Sequence, residues 1–251
     1  MAPPAAVGIV MPARDERARI GRALTAVLHA IDAVDVTCTV VVVDDGSVDG
    51  TASIAHEVLA DHDPRHLVLP ICEHQASRAR AAGVDALRHV VGADAAATWL
   101  LSTDADSIVP ADWVRRHLDH AARGALAVAG VVSLIDDPDG RRAAATWERD
   151  YGATLIAADG HPHVHAANLG LRLDVYDAIG GFADLDRAED IDLWRRLRAA
   201  GIRPVADAAT SVATSARLDG RVALGFAAAL RRLADPAPST SAVDERAGPR
   251  T

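Results

Sequence analysis

The chain has 251 residues, is 50% hydrophobic and carries a formal net charge of −9 with 26 Lys and Arg against 35 Asp and Glu. That length fits one large domain or two small ones and supplies apolar residues enough for a sizeable core. The acidic balance, with no block of Lys or Arg, excludes a nucleic-acid surface, and no run approaches the ~20 apolar residues of a membrane span.

Short β-branched runs alternate with helical patterns through the first half. Residues 1–6 read as a flexible start without the features of a signal peptide. Val7–Met11 follows as the first strand, and Ile20, Leu24, Val27, Leu28 and Ile31 then recur at helical spacing. Val40–Val43 is the second strand, followed by the turn-rich Asp44-Asp45-Gly46-Ser47 and a helix with Ile54, Val58 and Leu59. Leu67–Ile71 is the third strand and Gln75–Val91 its helix; Trp99–Ser102 is the fourth, with Val114, Leu118 and Ala121 on the next helix. Cys38 and Cys72 lie in apolar stretches without metal spacing, which reads as reduced core thiols of a cytoplasmic protein. This alternation predicts an α/β fold whose mostly parallel sheet is flanked by helices on both faces.

The second half is less regular. Ala127–Leu134 reads as a strand, Arg141–Ala158 as a helix and His163–Arg172 as extended. Ile191, Trp194 and Leu197 share a helix face that ends near Gly201, and Val205–Thr214 is a weak strand. Arg221–Leu233 is an amphipathic helix able to dock on the domain or touch a membrane surface. With no internal repeat or central linker, a single domain over 7–234 is expected, and the Pro/Ser/Thr-rich 235–251 reads as a disordered tail.

Two of the strands end in paired carboxylates, Asp44-Asp45 and Asp104-Ala105-Asp106. Anions at the end of a buried strand resist desolvation and repel one another, and a bound divalent cation is the usual reason to tolerate them. Ligands of such sheets bind beyond the carboxyl ends of the strands, so both pairs face one crevice suited to a phosphorylated, metal-complexed ligand.

Four motifs in order make the chain resemble the family 2 glycosyltransferases of the GT-A fold: Pro12-Ala13-Arg14-Asp15-Glu16, Val42-Val43-Asp44-Asp45-Gly46-Ser47-Val48-Asp49-Gly50-Thr51, Asp104-Ala105-Asp106, and Gly180-Gly181-Phe182 followed by Ala188-Glu189-Asp190-Ile191-Asp192-Leu193. The resemblance spans roughly Val7 to Gly201 and implies inverting transfer of one sugar from a nucleoside-diphosphate sugar, with UDP favoured, to an unspecified hydroxyl acceptor. It implies Mn2+ or Mg2+ held by Asp106 with Asp104 beside it, Asp104 also reaching the donor ribose, to neutralise the leaving diphosphate. Pro12, Ala13, Arg14, Glu16 and Ala105 fall in the donor-binding motifs, Pro12 and Ala13 framing the base pocket and Asp44 reading the base or ribose. Asp45 has two readings, donor contact or capping of the helix after Gly46. Arg80 is favoured over Arg78 as the cation near the diphosphate, since residues two apart on a helix point differently.

Asp190 is the expected general base and Glu189 its neighbour in the catalytic pair; the other reading is that both favour a positive helix N-terminus. Ala166-Ala167-Asn168-Leu169-Gly170-Leu171-Arg172 resembles the family's G-A-N-x-x-x-R segment, giving Asn168 a hydroxyl of the donor sugar. His161, His163 and His165 alternate, as a polar wall of the acceptor cleft or as a zinc or copper site. The family's late metal-binding histidine is absent, its region holding Thr214, Ser215 and Arg217. Two rivals stand beside this reading. A haloacid-dehalogenase-like phosphatase would use Asp104 as nucleophile and Asp106 as acid, and a nucleotide-binding relative would keep the site without turnover. A nicotinamide-binding enzyme is disfavoured, as no G-x-G-x-x-G follows the first strand.

Overall fold

In β1 (Ala6–Ala13), Val7, Ile9 and Met11 point to one face of the sheet and Val10 to the other, all fully buried. The structure is a computed structural model that describes residues 2–92, 94–135, 141–155, 161–219 and 226–234. The expected tail at 235–251 lies outside the described residues. Ala6, expected to be flexible, already pairs in register with Thr37 and Thr98.

The chain continues through α1 (Ile20–Asp32), β2 (Thr37–Asp45), α2 (Thr51–Ala60), β3 (Leu67–Ile71), α3 (Ala76–Val91), β4 (Thr98–Ser102), β5 (Ser107–Ile108) and α4 (Trp113–Ala122). It then forms β6 (Ala127–Ile135), α5 (Arg141–Thr154), β7 (Leu169–Arg172), α6 (Leu173–Ala178), α7 (Glu189–Ala199), β8 (Val205–Ser215) and α8 (Phe226–Ala234). The strands make one sheet in the order β3-β2-β1-β4-β7-β6-β8-β5. Parallel pairing joins β1 to β2 and β4, β2 to β3, and β6 to β8; β7 and β5 run antiparallel to their neighbours. The expected mostly parallel α/β sheet is therefore present, and its fourfold parallel half carries the acidic strand ends.

Helices cover both faces. Ile20, Leu24, Val27 and Leu28 of α1 pack with Trp113 and Val114 of α4 on the Ile9 face. Ala79, Val84 and Leu87 of α3 pack with Leu193, Trp194 and Leu197 of α7 on the Val10 face. The α3 contact is close: a Cβ at Gly83 would stand 2.4 Å from Val10 Cγ1, and one at Gly8 1.9 Å from Leu87 Cδ2. Glycine at both positions lets α3 seat on the sheet and fixes where its first turn meets the strand ends.

Four expectations change. Ile191 is 58% exposed, because Glu189, Leu193, Trp194 and Leu197 form the inward stripe of α7 at spacings of three and four. Cys72 is exposed, with Sγ 3.3 Å from His74 Nε2, so only Cys38 is a core thiol. Residues 163–165 are unpaired, 166–168 form a single 3₁₀ turn, and only Leu169–Arg172 is strand. The helix expected over Arg141–Ala158 ends at Thr154, while residues 221–225 of the last predicted helix lie outside the described residues. Among the described residues, no helix is long and apolar enough to cross a membrane.

Candidate active site

The carboxyl ends of β1, β2 and β4 open on a cavity of about 550 Å³. One wall is Pro12, Ala13, Arg14 and Glu16, and the floor is Asp104, Ala105 and Asp106. The opposite wall is the start of α7, with Glu189 and Asp190, and Thr214, Ser215 and Arg217 close one end. Among the described residues, three non-glycine residues hold a left-handed backbone, Asp15 (φ 49°), His74 (φ 55°) and Ala188 (φ 59°). Each stands in or beside the cavity wall, and strained backbone concentrates at sites where the surrounding structure over-determines it. Asp15 tolerates it because its Oδ1 accepts the Val48 N–H at 2.9 Å while its own N–H donates to Ser47 Oγ. Its side chain thus binds the loop after β2 rather than the cavity.

Arg80 faces the cavity and Arg78 does not. The Arg80 side chain, 5% exposed, donates from Nη2 to Asp104 Oδ1 at 2.5 Å, from Nη1 to Glu189 Oε1 and from Nε to Ser102 Oγ at 3.3 Å. Arg78 instead pairs with Glu73 and Asp184 at the surface. Arg80 is therefore a bridge between the two acidic segments rather than a free diphosphate ligand.

Asp190 is held by two backbone donors, Oδ2 accepting from Ala166 N at 2.9 Å and Oδ1 from Ile191 N at 2.8 Å. Burial pushes its pKa up, reinforced by Glu189 and opposed by Arg80. Asp106, its side chain 14% exposed, has its pKa pushed up to about 6, mainly by burial, against the lowering effect of Arg217. Two carboxylates of raised proton affinity thus face one cavity, a pattern that marks functional sites.

The paired aspartates of β2 divide their work. Asp45 lines the cavity and accepts three backbone N–H groups, from Glu73 (2.6 Å), His74 (2.8 Å) and Gln75 (2.8 Å). It therefore fastens the loop leading into α3 and does not cap the helix after Gly46, whose N-cap is Gly50 and whose first N–H, from Thr51, goes to Asp49 Oδ1. Asp44 is buried in register with Ala13 of the cavity wall and is not itself a lining residue. Among the described residues its Oδ1 is buried without a hydrogen-bond partner, as is Arg14 Nε.

Asn168 is not in the cavity. It is fully buried, with Nδ2 donating to Val131 O (2.8 Å) and Thr210 O (2.9 Å) and Oδ1 accepting from Trp113 Nε1 (3.0 Å). It spans the register shift of β6 at Gly130/Val131, satisfying carbonyls that the β6–β8 ladder leaves over. The polar residue expected to touch a sugar is a cross-link between strands.

The three histidines stack face to face at centroid separations of 6.1 Å, but each imidazole has its own partner. His161 Nε2 meets Ala129 O, His163 Nε2 meets Thr154 Oγ1, and His165 Nε2 meets the Tyr151 hydroxyl. Among the described residues no group of three or more His, Cys, Asp and Glu converges to hold a metal, so the zinc or copper reading does not stand. Of the three, His165 alone lines the cavity, beside Val164, Ile191 and Phe226; burial lowers its pKa to about 4 and keeps the ring neutral.

Sequence reasoning missed His74, Gln75, Asp186 and Arg187, which also line the cavity. It listed Arg217 without its partners. The guanidinium forks onto Glu16 (Nη1–Oε2 2.7 Å, Nη2–Oε1 2.6 Å) and reaches Asp106 Oδ2 at 2.9 Å.

An acidic, cation-bridged cleft at the carboxyl edge of a mostly parallel sheet defines a nucleotide-handling α/β protein, and comparison with known proteins sharpens this. Residues 8–180 match the family described as glycosyl transferase family 2. The chain belongs to that family; Glu189 and Asp190 lie just past the matched segment. It is 30% identical over 171 residues to the succinoglycan biosynthesis protein ExoA of Rhizobium meliloti (strain 1021), a match covering 65% of this chain and 50% of ExoA. The chain thus spans half the length of that relative. Among solved structures, it resembles the mannosyltransferase PcManGT from Pyrobaculum calidifontis in complex with GDP-Man and Mn2+, with a TM-score of 0.62 and 22% identity over 85% of this chain and 59% of the other. It also resembles S. aureus TarS 1-349 in complex with UDP-GlcNAc, with a TM-score of 0.64 and 12% identity over 88% and 61% of the respective chains. Both share the GT-A fold with this chain, and family membership removes the phosphatase alternative.

Proposed function

We propose that this protein is a glycosyltransferase that moves one sugar from a nucleoside-diphosphate sugar to a hydroxyl acceptor with inversion at the anomeric carbon, assisted by Mn2+ or Mg2+. One observation carries the reading: Asp190, with its pKa raised, shares a cavity with Asp104 and Asp106, and Arg80 ties the two acidic segments together.

Pro12 and Ala13 wall the base and Arg14 Nε, buried without a partner among the described residues, donates to the donor; Asp44, in register with Ala13, reads the base or ribose where the donor seats against that wall. UDP remains the favoured nucleotide, and the fold neighbours hold GDP-Man in one case and UDP-GlcNAc in the other. Asp104 and Asp106 offer the oxygen ligands a hard cation prefers. Bound there, the ion supplies charge neutralisation for the departing diphosphate.

Asp190 takes the proton of the acceptor hydroxyl as its oxygen bonds to the anomeric carbon, and the bond from that carbon to the diphosphate breaks with its electron pair leaving on the diphosphate oxygen. The raised proton affinity of Asp190 suits it to hold that proton. Val164, His165, Ile191 and Phe226 form the acceptor end of the cavity. We place the enzyme in the cytoplasm, with no nucleic-acid partner. In α8 Ala227, Ala228 and Leu230 are buried while Arg231 and Arg232 are exposed, which supports at most a peripheral membrane contact.

Asp190→Asn is the test. It retains nucleotide-sugar binding by calorimetry and loses transfer by roughly 10²–10⁴-fold. Transfer at the wild-type rate by Asp190→Asn sinks the base assignment.

A further inference from the structure

Arg217 stands two residues beyond β8, and what it touches is the carboxylate on which the proposed metal depends. Asp106 Oδ2 forms an ion pair with Arg217 Nη2 at 2.9 Å, while the same guanidinium forks onto Glu16. Glu16 is buried, and Arg19 lies 3.8 Å from its Oε2. Arg19 and Arg22 also line an adjoining cavity of about 210 Å³ whose wall includes Asp106. Asp106 is therefore surrounded by cations of the protein itself. A divalent ion and a guanidinium competing for one carboxylate oxygen repel each other, so either occupant weakens the other.

The connection is built for release of one contact. Nη1 donates to Glu16 Oε2 at 2.7 Å, while Nη2 lies between Glu16 Oε1 at 2.6 Å and Asp106 Oδ2 at 2.9 Å. Giving up Asp106 leaves the Glu16 fork intact and frees an N–H in the same cavity as Asp104 and Asp190. The backbone need not move, because β5 and β8 are pinned by the Ser107–Thr214 pairing and by a 3.0 Å bond between the Ser107 and Thr214 hydroxyls.

We propose that Arg217 is an exchangeable counter-cation: it holds Asp106 until a metal–nucleoside diphosphate arrives, then passes its freed N–H to a diphosphate oxygen. This rests on the donor-site reading above. The chain lacks the family's late histidine, and the arginine gives charge to the leaving group where a histidine would give a ligand to the metal. Metal and nucleotide consequently bind together, and metal alone binds poorly.

The proposal makes opposite predictions for two ligands at one substitution. Arg217→Met binds Mn2+ alone at least about tenfold tighter than wild type, read from the free-ion electron paramagnetic resonance signal. The same variant, at saturating Mn2+, binds UDP or GDP at least about tenfold more weakly, by calorimetry. Arg217→Lys, which keeps the charge but not the fork, falls between the two on both scales. If Arg217→Met fails to fold because Glu16 is left as a buried lone carboxylate, Glu16→Gln with Arg217→Met removes that charge and carries the same two predictions. An unchanged or weaker Mn2+ affinity in a folded variant, with nucleotide still bound by the wild type, overturns this proposal alone. No nucleoside diphosphate binding by the wild type, with or without Mn2+, overturns it together with the donor-site reading.

Discussion

Arg80 joins Asp104 to Glu189, taking one carboxylate on each of its two terminal nitrogens. The loop after β4 and the first turn of α7 are therefore positioned against each other by a single buried cation. A planar guanidinium suits this because its donors are fixed in a fork, whereas an ammonium holds a point.

Arg80→Met leaves two carboxylates facing each other without their shared partner. Unfolding stability falls by about 3–5 kcal/mol, the usual cost of breaking a buried ion pair from one side. Urea denaturation measures this, and Arg80→Lys recovers part of the loss.

Asn168→Ala acts on the fold and not on the donor. Two carbonyls and the Trp113 indole N–H lose their partner at the β6–β8 register shift, each buried group costing about 1–3 kcal/mol. The melting temperature drops, while the KM for nucleotide sugar in the folded fraction stays at the wild-type value. A raised KM with unchanged stability restores Asn168 to the site.

The contrast between Asn168 and Asp190 shows what the sequence makes legible. Strands β1 to β4, the helices between them and the acidic strand ends are written in local patterns: β-branched runs, helical spacing, carboxylates closing a strand. Asp104, Asp106, Glu189 and Asp190 line one cavity because the topology brings every such edge to the same side. Asn168 has the same polar character, but its burial depends on a register shift between β6 and β8 that no local pattern announces. Arg217 reaches Asp106 only through the antiparallel pairing of Ser107 with Thr214, across more than a hundred residues of chain. Ile191 misled because apolar residues at helical spacing do not reveal which stripe turns inward when an acidic residue, Glu189, takes a buried place on the helix.

His117 sets part of the acid sensitivity of the fold. It is fully buried against Asn168 and Trp113, and burial lowers its pKa to about 4 from an ordinary 6.5. Between these values the unfolded chain binds a proton that the folded one refuses, so stability present above pH 6.5 is lost as pH falls towards 4. The loss by pH 5 is about 2 kcal/mol from this group. In His117→Gln, urea midpoints between pH 7 and pH 5 converge by that amount relative to wild type. An unaltered pH slope contradicts the assignment.

Asp44→Ala separates base recognition from chemistry. Removing the carboxylate whose Oδ1 has no partner among the described residues costs the fold little and raises the nucleotide-sugar KM by about tenfold or more, with kcat nearly unchanged. Steady-state kinetics on the preferred donor decide it, and an unchanged KM removes Asp44 from the donor site.

The most direct test of the account is thermal stabilisation of the wild-type protein by UDP, GDP and their sugars, each with and without Mn2+. A ligand that binds only the folded state raises the melting temperature by mass action. The account predicts a shift with one nucleoside diphosphate that grows when Mn2+ is added, and little shift with Mn2+ alone. Absence of a shift with every nucleotide, in the presence of the metal, contradicts it.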